Sequence, residues 1–419
     1  MPDDTTKFLL LALFNQAVLA TSAKVALPAH LPAKTPRGRT LVLGAGKAAA
    51  AMAAVTAETM SAPLHGIVVT RYGHDCEIPG GKIAIACAAH PVPDEQSTII
   101  ARKMLSLAQG CTPEDRMLFL ASGGGSSVLS LPAPGLSLLQ KQDIIRHLLH
   151  SGADIAHINC VRKHLSSIKG GRLAVACGTR DIHTFIISDV PGDAPSAIAS
   201  GPTIADPTSL ADARAVITRY GTPHEEVVVA ALNNDANETP KPGTLFEHHT
   251  IIAKAEDALT AAAKLAQAKG WQVHNLGDRV EGEARKVGAR HANISRKLKA
   301  RGGRWLLMSG GETTVTVRHK NGGGGPNLEY LAGLALALNG EAGITALSCD
   351  TDGIDGSEDN AGAYITPSTL SRATALGLDI NEYLENNRTY AFFKALDDLI
   401  ITGPTLTNVN DFRIIAIES

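Results

Sequence analysis

The sequence predicts a protein of two α/β/α layered domains, the first built on a largely parallel sheet. Three observations lead there. The chain has 419 residues, about two to three times the usual single-domain size, so two cores are expected. Short β-branched runs alternate with helix-period segments, the pattern of strands joined by crossover helices. Glycine clusters fall where those runs end, at GAGK (44–47), SGGGSS (122–127), SGGE (309–312) and GGGGPN (322–327).

The runs TLVLGAG (40–46), GIVVTR (66–71), KIAIACAA (82–89), RMLFLAS (116–122) and HTFIISDV (183–190) read as strands. Helices are expected over 47–60, 94–110 and 137–152, the last two opening at the caps Asp94 and Ser137. The polar, Pro-containing stretch NNDANETPKPG (233–243) has the composition of a linker, which divides the chain into 1–240 and 241–419. Beyond it come a strand near HTIIAK (249–254), a helix over 255–270 and a strand near WQVHNL (271–276). A helix from about Glu281 to Ala300 and the strand RWLLMSG (304–310) follow.

Composition narrows the function. Thirty-nine Lys and Arg against 41 Asp and Glu leave no basic excess to hold a polyanion, so no nucleic-acid partner is expected. The six cysteines, Cys76, Cys87, Cys111, Cys160, Cys177 and Cys349, show no metal-ligand spacing and read as reduced thiols. The apolar run Phe8 to Phe14 is far shorter than the ~20 residues that span a bilayer. It reads as an amphipathic helix, and the protein as cytoplasmic with no membrane partner; a homodimer is compatible with this reading.

Bare N–H groups before a helix at the carboxyl ends of strands make an anion cradle, so the glycine clusters suggest a phosphorylated ligand held by Gly44, Gly46, Ser122, Gly123, Gly124 and Ser126. Glycine at such turns also serves only to permit positive φ. A Walker A loop is excluded, because Leu41 stands where its first glycine would be and Ala48 follows the lysine. Gly44, Gly46 and Ala49 fit the Rossmann pattern GxGxxA, but Thr70 and Arg71 stand where a ribose-binding acid is expected. That disfavours NAD and leaves NADP open. Lys47, a cation at a helix start where the dipole is already positive, points to an anion beside it or to a solvated side chain.

Acids also gather near strand ends: Asp189 and Asp193, Glu312, and Asp350, Asp352, Asp355, Glu358 and Asp359. The last stretch is no EF-hand, since Ile354 replaces an oxygen ligand and Asp355 the glycine. Carboxylates beside phosphates need a cation between them, which suggests Mg²⁺, although turn-forming and capping roles suit many of these acids. In NCVRKHLSSIKGGRLA (159–174), helical spacing would put Arg162, Lys169 and Arg172 on one face, fit for an acidic substrate or for solvent.

These motifs together resemble the class II glycerate 2-kinase family, whose C-terminal half is called the MOFRL domain and whose members often carry the name hydroxypyruvate reductase. The resemblance runs through LVLGAGKAAAAM, HPVPDE, SGGGSSVLSLPAPG, VRKHLSSIKGGRLA, ISDVPGDAPSAIASGPT, MSGGETTVTV, GGPNLE, SCDTDGIDG and TGPTLTNVND, in that order. It implies transfer of the ATP γ-phosphoryl group to the 2-hydroxyl of D-glycerate, with Mg²⁺, in a cleft between domains. It further implies Lys47 and Asp189 at the chemistry, Asp189, Asp350 and Asp352 on the metal, and Glu312, Asn327 and Asn408 in the site. Where many members have GGRNQE, this chain has Pro326 and Leu328, leaving Asn327 and Glu329; if Pro326 removes a cation, Arg318, Lys320 or Arg162 must compensate, or the rate should be lower. The rivals are an NADPH-dependent hydroxypyruvate reductase and a ligand sensor without chemistry.

Overall fold

The computed structural model describes residues 2–61, 63–319 and 322–419, with side chains from Thr5 onward. Lys320 lies outside the described residues. The chain divides into two compact units, one of Ala23–Ile252 and one of Met1–Ser22 with Ala253–Ser419.

The first unit is built on six strands: β1 (Thr40–Ala45), β2 (Leu64–Arg71), β3 (Ile83–Ala88), β4 (Arg116–Ala121), β5 (Asp181–Ile187) and β6 (His248–Ala253). Their order is β3-β2-β1-β4-β5-β6. β1 pairs in parallel with β2 and β4, β2 with β3, and β4 with β5. Every residue of β1 and β4 is buried, as expected of central strands covered by helices on both faces. The order runs outward in both directions from β1 and β4. Ligands in such sheets bind at the carboxyl ends of the strands where the order reverses.

Helix Glu95–Gln109 is capped by Asp94, which accepts the Ser97 N–H, and helix Leu138–His150 opens on a capping box of Ser137 and Gln140.

The strand expected to open the C-terminal half, HTIIAK, instead completes the first sheet as β6. The stretch 233–243 is no free linker either. Asn237 donates to Ala231 O, Arg172 donates to Asn237 O, and Lys241 donates to Glu238 and to Thr208 O. Its polar residues are consumed in fastening it to the first unit, which composition cannot distinguish from solvation.

The second unit holds β7 (Gln272–Asn275), β8 (Gly282–Glu283), β9 (Arg304–Ser309), β10 (Thr313–Thr314), β11 (Ile344–Asp350), β12 (Gly362–Ile365), β13 (Leu399–Ile400) and β14 (Asp411–Glu418). Six form a mixed sheet in the order β13-β12-β11-β14-β9-β7. β14 lies antiparallel between β11 and β9, and β7 runs parallel to β9.

The helix Pro2–Ala20 belongs to this unit. Leu10, Leu13, Phe14 and Ala17 form its buried stripe at helical spacing. It packs on helix Ala255–Ala268, and Phe14 meets Phe412 with ring centroids 6.0 Å apart.

Candidate active site

At the carboxyl ends of β1 and β4 two glycine-rich loops lean on each other. Gly44 lies inside β1, and a Cβ there would stand 2.7 Å from Leu120 O; at Gly46, with φ of 129°, it would stand 2.3 Å from Ser122 Oγ. No side chain fits at either position. The N–H groups that would cradle a phosphate are taken by the protein: Lys47 N–H donates to Gly123 O at 2.9 Å, Ala48 N–H to Ser122 Oγ at 2.9 Å, and Ala49 N–H to Gly46 O at 3.1 Å. Gly44 and Gly46, expected to bind phosphate, therefore serve the close packing of β1 on β4, and Ser122 is committed to the same contact. The dinucleotide reading of GxGxxA loses its pyrophosphate site.

The SGGGSS loop is arranged differently. Gly124 is left-handed with φ of 77° and caps the short helix Gly125–Val128. Among the described residues, the N–H groups of Gly123 and Gly124 make no hydrogen bond to the protein. A Cβ on Gly124 would stand 3.1 Å from the His90 ring and 3.4 Å from Lys47 Cγ. The structure thus brings Lys47 to the second loop, together with His90, which sequence reasoning passed over although it opens the quoted motif HPVPDE.

Ser126 Oγ lies 2.7 Å from Ser200 Oγ. Ser200 belongs to a run of three left-handed residues, Ala199, Ser200 and Gly201, at φ of 53°, 58° and 54°. Backbone held this way is unfavourable for Ala and Ser and is kept where the surroundings fix it, often at functional sites. Asp189 is half-buried, two residues beyond the end of β5.

The basic segment is not one helical face. The helix Ile155–His164 stops at Leu165, and a new one, Arg172–Ala176, starts after Gly170 and Gly171, at φ of 59° and 84°. That break leaves Arg162 on the first helix, Lys169 in the turn and Arg172 at the start of the second, so no helical face carries all three. Lys163 pairs with Asp206 at 2.6 Å, both buried. Arg162 donates to Asn159 Oδ1 at 2.7 Å.

In the second unit, loops at one edge of the mixed sheet gather most of the remaining candidates. β11 ends at Asp350, which is registered opposite Asp411 at the start of β14. Asp350 Oδ1 accepts the Asp352 N–H at 2.9 Å, and Asp352 Oδ1 accepts the Ile354 N–H at 2.8 Å. The Thr405 N–H donates to Asp352 O, and the Thr351 hydroxyl donates to Asn410 O. These bonds hold CDTDG against TLTNVND, so Asp350, Asp352 and Asn408 sit in one loop cluster. Glu312, on the exposed turn after β9, reaches the same edge, because Gly311 O accepts the Asp411 N–H.

Asn327 has a different place from that expected. It is fully buried at the start of helix Pro326–Leu338, and its side-chain amide donates to Asp355 and Asp411 while accepting from Ser348. Asp355 also accepts the N–H groups of Asn327 and Leu328, supplying the carboxylate that a helix N-terminus favours. Burial, reinforced by the Asp411 charge, lifts the Asp355 carboxyl to about 7. Both residues thus brace the fold. Pro326 occupies the first turn of the same helix, where a missing N–H is harmless. Arg318, one candidate to replace a lost arginine, pairs instead with exposed Glu385 at 3.2 Å.

Residues 9–233 match a family described only as a domain of unknown function, DUF4147, and residues 305–411 match the MOFRL family. A protein of Agrobacterium vitis, provisionally named hydroxypyruvate reductase, is 48% identical over 99% of this chain and 95% of its own length. The D-glycerate 2-kinase of Thermotoga maritima is 38% identical over 98% of both chains. A crystal structure of glycerate kinase from that organism superposes with a TM-score of 0.89 at 36% identity, covering 99% of this chain and all of its own. With both halves matched in order and a glycerate 2-kinase aligned along nearly its whole length, the chain belongs to the MOFRL-containing glycerate kinase family.

Proposed function

We propose that this chain transfers the γ-phosphoryl group of ATP to the 2-hydroxyl of D-glycerate, giving 2-phosphoglycerate and ADP. The observation that carries this reading is the meeting of Lys47, His90 and the open N–H groups of Gly123 and Gly124 where the first sheet reverses its strand order. Phosphoryl transfer asks the protein mainly to neutralise charge and place the acceptor, with no covalent intermediate. In this reading Lys47 and the two N–H groups face phosphate oxygens, and Asp189 acts as the carboxylate beside the acceptor.

Asp350 and Asp352 suit Mg²⁺ by donor type, as two carboxylates of one loop. Among the described residues no group of three or more His, Cys, Asp or Glu gathers as a metal cage. Mg²⁺ typically binds through one or two carboxylates and keeps water and phosphate oxygens for the rest. When bound there, it would supply the divalent positive charge that phosphoryl transfer requires.

The test is purified protein assayed with D-glycerate and Mg-ATP, and separately with hydroxypyruvate and NADPH. ADP release that requires glycerate is expected. NADPH oxidation without it would overturn the proposal.

A further inference from the structure

Helix Leu138–His150 packs Ile144 and Leu148 into a core shared with helices Ile155–His164, Leu210–Tyr220 and Glu225–Leu232. One turn before Ile144, on the same face, stands Lys141, only 4% exposed. A lysine at such a position normally carries its ammonium out to water. Here Nζ is enclosed and, among the described residues, hydrogen-bonds to nothing.

The surroundings deepen the anomaly. The charged groups that act on or feel Lys141 are Arg162, Arg172 and Lys169, with no carboxylate among them, and burial lowers its ammonium to about 7. Lys169 is 1% exposed. Burial, with the charges of Lys141 and Arg162, lowers its ammonium well below the ordinary lysine range. Its Nζ donates to Ser126 O at 2.9 Å and Leu129 O at 2.7 Å, tying the cluster to the SGGGSS loop. Nearby acids are engaged elsewhere, Asp206 by Lys163 and Glu238 by Lys241 and His164. Basic groups gathered this closely without a counter-charge give up their protons unless an anion joins them, since buried charges are otherwise paired.

We propose that Lys141, Arg162 and Lys169 form an anion site that takes the carboxylate of the hydroxy-acid acceptor. The assignment rests on the kinase reading. Its enclosure suits a small acid rather than a triphosphate, because only Arg162 reaches partial exposure. The Arg162 guanidinium offers the planar fork that matches a carboxylate. Lys169 links that anchor to the loop proposed to face phosphate, so the acceptor would be fixed by its charged end.

Lys141→Met should raise the KM for D-glycerate at least tenfold while the KM for ATP moves less than twofold. A glycerate KM within twofold of wild type would overturn the site. Binding is read apart from turnover by thermal unfolding with D-glycerate, glycerol or inorganic phosphate. Wild type should be stabilised by glycerate and not by glycerol, and Lys141→Met and Arg162→Gln should lose that shift. Retention of the shift in both variants, its absence in wild type, or a phosphate-induced shift that both variants also lose would each defeat the proposal. Should Lys141→Met fail to fold, Arg162→Gln carries the same test, with Lys141→Arg expected to restore the shift. A wild type stabilised by glycerate yet releasing no ADP would retire the kinase reading and leave the carboxylate site standing.

Discussion

The two glycine loops that meet at the end of β1 and β4 look alike on paper and do opposite work. At GAGK the N–H groups turn inward, Gly46 onto Val69 O, Lys47 onto Gly123 O and the following Ala48 onto Ser122 Oγ, and its glycines exist because the backbone there passes too close for a Cβ. SGGGSS leaves N–H groups unclaimed and brings a left-handed glycine beside a lysine and an imidazole. The lesson is that a glycine reports closeness, and only the hydrogen-bond partners say whether the close neighbour is protein or ligand.

Substitutions can break that contrast. Gly46→Ala should be the most damaging, since its Cβ would fall 2.3 Å from Ser122 Oγ and 2.4 Å from Ser122 O; a loss of about 3 kcal/mol is expected from overpacking, measured by urea unfolding. Lys47→Ala should leave the urea midpoint in place while kcat falls at least tenfold, about 1.4 kcal/mol of barrier; wild-type turnover would remove Lys47 from the chemistry. Gly124→Ala should lower stability by only about 1 kcal/mol, through its positive φ, yet reduce kcat/KM for ATP by more than that loss explains. If activity merely tracks stability, the second loop is packing like the first. Arg318→Ala should do least, keeping kcat within twofold, because its partner is the exposed Glu385.

Much of this architecture was legible beforehand. The strands over 40–45 and 116–121 and the caps Asp94 and Ser137 follow from local patterns, and local patterns were enough. Which sheet a strand joins is not local. HTIIAK reads as a strand wherever it goes, and its place beside β5 depends on partners some sixty residues away. The face expected to carry Arg162, Lys169 and Arg172 failed because the helix ends at His164 and the chain passes left-handed Gly170 and Gly171 before the next one begins.

The candidate site was legible in part. Loop ends gathered Lys47 with Gly124, and Asp350 with Asp352 and Asn408. Asn327 was misplaced because a buried amide satisfied by two aspartates and a serine looks, in sequence, like one waiting for a ligand. Lys141 carries a signal readable in the sequence: it interrupts the apolar stripe that Ile144 and Leu148 continue.

The helix Pro2–Ala20 leaves the ribosome well before the elements it rests on, helix Ala255–Ala268 and strands β11 and β14. At ordinary synthesis rates of about 5–20 residues per second, Leu10, Leu13 and Phe14 must wait on the order of ten seconds or more for shelter. During that interval the nascent chain carries an oily flank whose folded-state cover has not yet been made. Chaperone demand should accordingly drop when the flank is made polar, even as the finished enzyme loses the buttress it provides.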